Sequence, residues 1–175
     1  MGHLGSEVGM FSLSQMRQLQ RDQYDHDRRN HSDIWSLHRI ERLRHYGLHF
    51  AKYVGRIARG KVDPKPVDRT LTDAFLISLS AANTLHQDFS TEALVSDQFA
   101  IEGDPLRVFA EAVGRFADAC EKHDHLEEFN KLVRTANCDI ARWVIAMADE
   151  YHLDLVQNAA SRRKELAGKM FYIAD

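Results

Sequence analysis

The sequence predicts an all-α fold, a single helical bundle made of two tandem repeats. Three observations carry that expectation. Apolar residues recur at spacings of three and four over most of the chain, the signature of helices with one buried face. Strand-like alternation never extends beyond a few residues. The nine-residue stretch Phe50–Ala58 (FAKYVGRIA) returns as Phe109–Ala117 (FAEAVGRFA), with six positions identical. A second echo follows each copy, matching Asp73, Ala82, His86 and Asp88 with Asp139, Ala148, His152 and Asp154. The first echo is offset by 59 residues and the second by 66, so the copies differ by an extension of seven. Such internal similarity points to one helical unit used twice, over about 11–98 and 99–175 after a flexible leader at 1–10.

Each element has its own signal. Ser12 or Ser14 can cap a first helix through Met16, Leu19 and Tyr24, and the polar run Asp25–Asp33 reads as a loop or exposed helix end. A helix over about Asp33–Arg59 would bury Ile40, Leu43, Gly47, Ala51, Val54 and Ile57, and the two prolines of Gly60–Asp68 end it. Thr70 then leads a helix whose middle, Ala74–Leu85, is apolar or small nearly all round, which predicts a central position. Ser90 or Thr91 can cap a short helix through Leu94. Asp104-Pro105 is a strong start signal, an N-cap acceptor before a proline whose fixed φ suits the first helical turn. Leu106, Phe109, Val113, Phe116 and Cys120 mark the buried face that follows, and Lys122–His125 breaks it. A long helix runs through Leu126, Phe129, Leu132, Ala136, Ile140, Trp143, Met147 and Tyr151. Asp154 can cap a last helix ending near Gly168.

A chain of 175 residues with 44% apolar composition can bury a sizeable core as one domain. No apolar run has the length to cross a bilayer and no signal-peptide pattern opens the chain, so a cytoplasmic protein is expected. Two cysteines, Cys120 and Cys138, are too few for a disulfide framework and fall on core-facing positions, without a base that would make either a nucleophile. The net charge of −3 hides an asymmetry. Residues 1–65 carry 12 Lys/Arg against 7 Asp/Glu, leaving 11 against 19 for the remainder. Attraction between the halves explains this as well as a basic face for an acidic ligand does.

Three other constellations were open to chemistry. His45 and His49 stand at i, i+4, a usable pair of metal ligands to which Asp73 could add a carboxylate. His123 and His125 fall in a break. Arg28, Arg29, Arg39, Arg42 and Arg44, interleaved with Tyr24, Trp35, Tyr46 and Tyr53, could meet nucleic acid, but a solvated helix face accounts for them and nucleic acid is not the expected partner.

Trp35–Ala58 followed by Thr70–Phe89 resembles the MazG-like all-α nucleoside triphosphate pyrophosphohydrolases. Their first motif, roughly H-L-x-E-E-x-G-E-L, lines up with His49–Ile57 (HFAKYVGRI). Their second, E-L-x-D-V-L, lines up with the stretch opened by Thr70-Leu71-Thr72-Asp73. The second copy fits through Glu111–Phe116 and Ala136–Asp139. The resemblance implies a bundle that holds Mg²⁺ on two facing carboxylate pairs, E-x-x-E and E-x-x-D, for metal-assisted hydrolysis at phosphorus. The acidic positions depart from it. They are Tyr53, Arg56, Thr70 and Asp73 in one copy, and Ala112, Arg115, Ala136 and Asp139 in the other. Glu111 lies beside the second set on a different helical azimuth.

A guanidinium cannot ligate a cation. Arg56 and Arg115 are therefore expected to pair with Asp73 and Asp139, or to grip a phosphate without hydrolysing it. The expected protein is a degenerate member of the family, a non-catalytic nucleotide-binding or protein-interaction bundle that needs no cofactor. It would be a pseudo-dimer in one chain, with a homo-oligomer or protein partner possible. The alternative is an active enzyme binding Mg²⁺ through a rearranged set drawn from Asp73, Glu111, Asp118, Asp139 and Asp149.

Overall fold

A computed structural model describes residues 11–91 and 100–169. Among these there are seven α-helices, one 3-10 turn and no strand. They are α1 (Leu13–Asn30), α2 (Ser32–Trp35), α3 (Arg39–Arg59), α4 (Val67–Leu85), α5 (Pro105–Asp124), α6 (Asn130–Glu150) and α7 (Leu155–Ala167). The leader at 1–10 and most of the short helix expected after Ser90 lie outside the described residues.

Helix α4 is the hub. Thirteen of its 19 residues are buried, and it packs against α1, α3, α6 and α7. Helices α3 and α4 form one antiparallel pair and α5 and α6 another, with α3 against α5 and α4 against α6; α1 and α7 close over the remaining side of α4. Its small residues permit that crowding, and three of its hydroxyls bond within the helix. Ser78 donates to the Phe75 carbonyl (2.7 Å), Ser80 to Leu76 (3.1 Å) and Thr72 to Asp68 (2.8 Å), so burial leaves none of the three without an acceptor.

The capping residues set the boundaries. Ser12 accepts from the Gln15 amide while the Gln15 side chain accepts from the Ser12 amide, a reciprocal box. Asp104 and Asp154 each accept from the amide three residues on, Arg107 and Gln157. At the other ends, His86 and His152 take positive φ (54° and 55°), and the next amides, Gln87 and Leu153, donate back to Ala82 and Ala148. That is the Schellman closure, made by histidine where glycine is usual.

Several expectations need correction. The polar run after Tyr24 is no loop. Helix α1 continues to Asn30 and buries His26 and Asp27, because side chains of α3 and α7 supply polar neighbours. The helix expected from Asp33 is broken at Ser36–His38 into α2 and α3, and Glu41 accepts from the His38 amide at the new start. The buried face of α3 is Leu43, Tyr46, Phe50 and Tyr53, while Ala51 is exposed. Large aromatic rings bury far more apolar area than alanine or glycine, so they decide which way the helix turns. Helix α4 begins at Val67, leaving Thr70 inside it. Leu126 has φ 58° and is 94% exposed, since it closes the end of α5 rather than opening α6.

Phe50 and Phe116 meet edge to face (5.2 Å) where α3 crosses α5. Trp143 stacks on Phe109 (4.2 Å), and its indole N–H donates to the Pro105 carbonyl (2.8 Å), which ties the first turn of α5 to α6. Trp143→Ala should cost about 3–5 kcal/mol of stability. Trp143→Phe, which keeps a ring but loses the hydrogen bond, should cost less than half of that. Urea unfolding of the two variants against wild type checks both numbers.

Candidate functional site

The five residues singled out by sequence fall into two groups. On α3 and α4, Arg56 Nη1 lies 3.6 Å from Asp73 Oδ2. The other carboxylate oxygen accepts from Arg162 Nε of α7 at 2.7 Å. On α5 and α6, Arg115 clasps Glu111 through Nε (2.7 Å) and Nη2 (2.9 Å), and reaches Asp139 Oδ2 at 2.9 Å. Arg142 Nη1 holds the second Asp139 oxygen at 3.0 Å. Glu111 is thus one turn before Arg115 and within its reach. Arg115's hydrogen bonds hold the Glu111 carboxyl below the usual range, and Glu111 and Asp139 raise Arg115 in turn.

The groups differ in what surrounds them. Arg56 and Asp73 line a cleft of about 400 Å³ between α1, α2, α3, α4 and α7, within the range of small-molecule sites. Along α3 its wall carries His45, Tyr46, His49, Lys52, Tyr53 and Arg56, a stripe of about 16 Å at 1.5 Å per residue. Arg162 and Leu166 enter from α7, and Asp27, His31 and Trp35 line the far end. Because Arg56 is paired near the start of α4 and Tyr46 reaches Thr84 near its end, the cleft is polarised. Lys52, Arg56 and Arg162 surround Asp73 at one end, and Asp27 and Asp33 stand at the other.

The cationic end holds more donors than the protein uses. Arg56 Nη1 is buried and has no hydrogen-bond partner within the described residues. Burial, and then Arg56, lower the Lys52 ammonium. The Arg56 guanidinium lies 5.5 Å from the centre of the Tyr53 ring and Lys52 Nζ lies 5.1 Å from it, so the ring faces both cations. Burial raises the Tyr53 phenol, and Asp73 raises it further.

Arg162 could not be singled out from motif matching, because its partner is 89 residues away in sequence. One signal was present. Ala159, Arg162, Arg163 and Leu166 share three- and four-residue spacing, which places two arginines on the stripe that α7 turns inward. Their side chains are only 15% and 11% exposed.

The middle of the cleft is imidazole-rich. His49 Nε2 lies 3.1 Å from His45 Nε2, and His49 Nδ1 lies 3.2 Å from the Tyr53 hydroxyl and 3.1 Å from Lys52 Nζ. Burial, then Lys52, depress His49 to about 3, and burial also lowers His45 and His31. Asp73 does not join the pair, being engaged by two guanidiniums. Among the described residues no three His, Cys, Asp or Glu side chains are gathered around a common point. Cys120 and Cys138 are buried free thiols, and burial pushes Cys120 up to about 11, which makes it inert.

At the acidic end, Asp27 accepts from Gln23 Nε2 (2.9 Å), while Asp27 Oδ2 and Gln23 Oε1 are buried without partners. Burial raises Asp27 to about 6, offset in part by Gln23, Arg163 and Arg42. No protein-family model, curated protein or solved structure matches the chain.

Asp27 makes stability pH-dependent in a defined direction. The folded state holds its proton up to about pH 6, whereas the unfolded chain releases it near 3.8. Its contribution is therefore best below about 3.8, declines as pH rises, and is a constant cost above about 6. By linkage that cost is on the order of 3 kcal/mol. Asp27→Asn should accordingly stabilise the protein at pH 8, with the gain shrinking toward pH 4. Urea midpoints at the two pH values check this.

Proposed function

We propose that the chain binds a nucleotide or a similar phosphorylated aromatic metabolite in the cleft without hydrolysing it. One observation carries the reading: a half-buried Arg56, whose Nη1 makes no hydrogen bond and only a 3.6 Å ion pair with Asp73, lines a cleft of about 400 Å³ together with Lys52 and Arg162. Phosphate oxygens suit those donors, since guanidinium–phosphate contacts are charge-assisted and can be bidentate. The aromatic side chains supply the other half of the match. Tyr53 adjoins the cationic end, and Tyr46 and Trp35 lie along the stripe toward the acidic end, where a planar ring can pack. The stripe of about 16 Å spans a nucleoside with its phosphates.

The donor set does not fit the Mg²⁺ ions of the MazG-like resemblance. Mg²⁺ takes oxygen ligands, and both oxygens of Asp73 face guanidiniums, as do both of Asp139. A cation at either place would have to displace two fixed positive charges. The matching Arg56–Asp73 and Arg115–Asp139 pairs, one in each helix pair, support the reading of a tandem duplication. They also support arginine as the replacement for metal charge at both sites. Copy one keeps a cleft in front of its arginine. In copy two the arginine is spent on Glu111 and Asp139.

This asymmetry makes the proposal testable. In calorimetry with a panel of ribo- and deoxyribonucleoside mono-, di- and triphosphates, without divalent ions, at least one should bind. Arg56→Ala should weaken it about 10- to 100-fold, the equivalent of one or two charged hydrogen bonds. Arg115→Ala should leave affinity within about twofold, and no pyrophosphate should be released when Mg²⁺ is added. Equal losses in the two variants, or nucleotide turnover abolished by Asp73→Ala, would overturn the reading.

A further inference from the structure

The geometry points to a second site in the same cleft, beside the cationic end: His45 and His49 form a two-imidazole seat for a divalent transition metal of the Zn²⁺ class. The two Nε2 atoms lie 3.1 Å apart on successive turns of α3. Two imidazoles bound to one ion at 2.0–2.1 Å have their nitrogens about 2.8–3.4 Å apart, from octahedral to tetrahedral geometry. The observed separation falls inside that window, so binding needs the two rings to turn toward one ion and no change in their spacing. The rings are inclined at 69°.

The protonation of the pair also suits the role. Lys52 Nζ can only donate, so the His49 Nδ1 at 3.1 Å from it is an acceptor. The His49 proton therefore resides on Nε2 and is donated to His45 Nε2, which explains the short contact without the ion. Metal uptake moves that proton to Nδ1, where the Tyr53 hydroxyl oxygen at 3.2 Å can accept it. This gives His49 an outer hydrogen bond of the kind that orients ligating histidines. Lys52, an exposed residue, must swing out of the way.

Imidazole nitrogens select Zn²⁺, Ni²⁺ or Cu²⁺ over Mg²⁺. With two protein ligands the remaining positions face the cleft and belong to water or to a ligand atom. His31 lines the same cleft and interacts electrostatically with both imidazoles.

The test is Zn²⁺ titration of the full chain by calorimetry, repeated with Co²⁺ to read ligand-field absorption. The chain has ten histidines, so the readout is the difference between variants and wild type. His45→Gln and His49→Gln should each weaken one Zn²⁺ site by about tenfold or more, and His123→Gln should not. Lys52→Met removes the competing ammonium from an exposed position and should tighten the same site. Zn²⁺ affinity unchanged in both histidine variants, or no Zn²⁺ binding by the wild type, would overturn the proposal. If the histidine variants fail to fold, Lys52→Met decides: tighter binding supports the seat, and unchanged or weaker binding rejects it.

Discussion

Helix α4 has almost no face left for water, and the rest of the molecule is arranged to cover it. A helix buried on nearly every side needs partners all round, small residues at the crossings, and internal acceptors for its hydroxyls. Ala74, Ala81 and Ala82 supply the small residues, and Thr72, Ser78 and Ser80 bond to the helix's own backbone, while Thr70 Oγ1 is buried without a partner. Asn137 of α6, fully buried, donates to the Ser78 carbonyl (3.1 Å) and to Gln87 Oε1 (3.0 Å), fixing α6 against α4 with directional bonds as well as packing. The hub also dictates the cleft. Helices α1, α3 and α7 all lie against α4, and the space they fail to fill together is where Arg56, Asp73 and Arg162 converge.

The legible parts of the fold were those specified locally. Asp104-Pro105 and Asp154 mark helix starts because their side chains answer a need of the next turn. The two echoes predicted one helical unit used twice, and the MazG-like resemblance implied the approach of Arg56 to Asp73 and Arg115 to Asp139. The illegible parts were those in which polar residues satisfy one another from distant segments. His26 and Asp27 look like loop residues until α3 and α7 are packed beside α1, where His26 bonds Asn30 and Asp27 lies in the field of Arg42 and Arg163. One cation of the candidate site, Arg162, came from α7, 89 residues from its partner Asp73. Periodicity reveals which residues share a face, but the aromatic rings of α3 showed that side-chain volume chooses among competing faces.

An arginine beside a helix carboxylate supplies a different kind of positive charge from a bound metal ion. A metal ion can leave, exchange or be chelated. A guanidinium anchored by α3 or α7 is covalently permanent, and its orientation is fixed by the carboxylate it shares. On α5 and α6 both arginines, Arg115 and Arg142, hydrogen-bond Asp139. On α3 and α4 the Arg56 contact to Asp73 is a longer ion pair of 3.6 Å, and it lies beside the cleft.

The polarised cleft has one consequence for how the protein meets a changing environment. Its positive pole rests on arginines, which keep their charge across the physiological range. Its negative pole includes Asp27, which gives up its charge as the medium falls below about pH 6. Mild acid therefore shifts the field inside the cleft toward positive, because Arg42 and Arg163 beside Asp27 are then no longer offset by its charge.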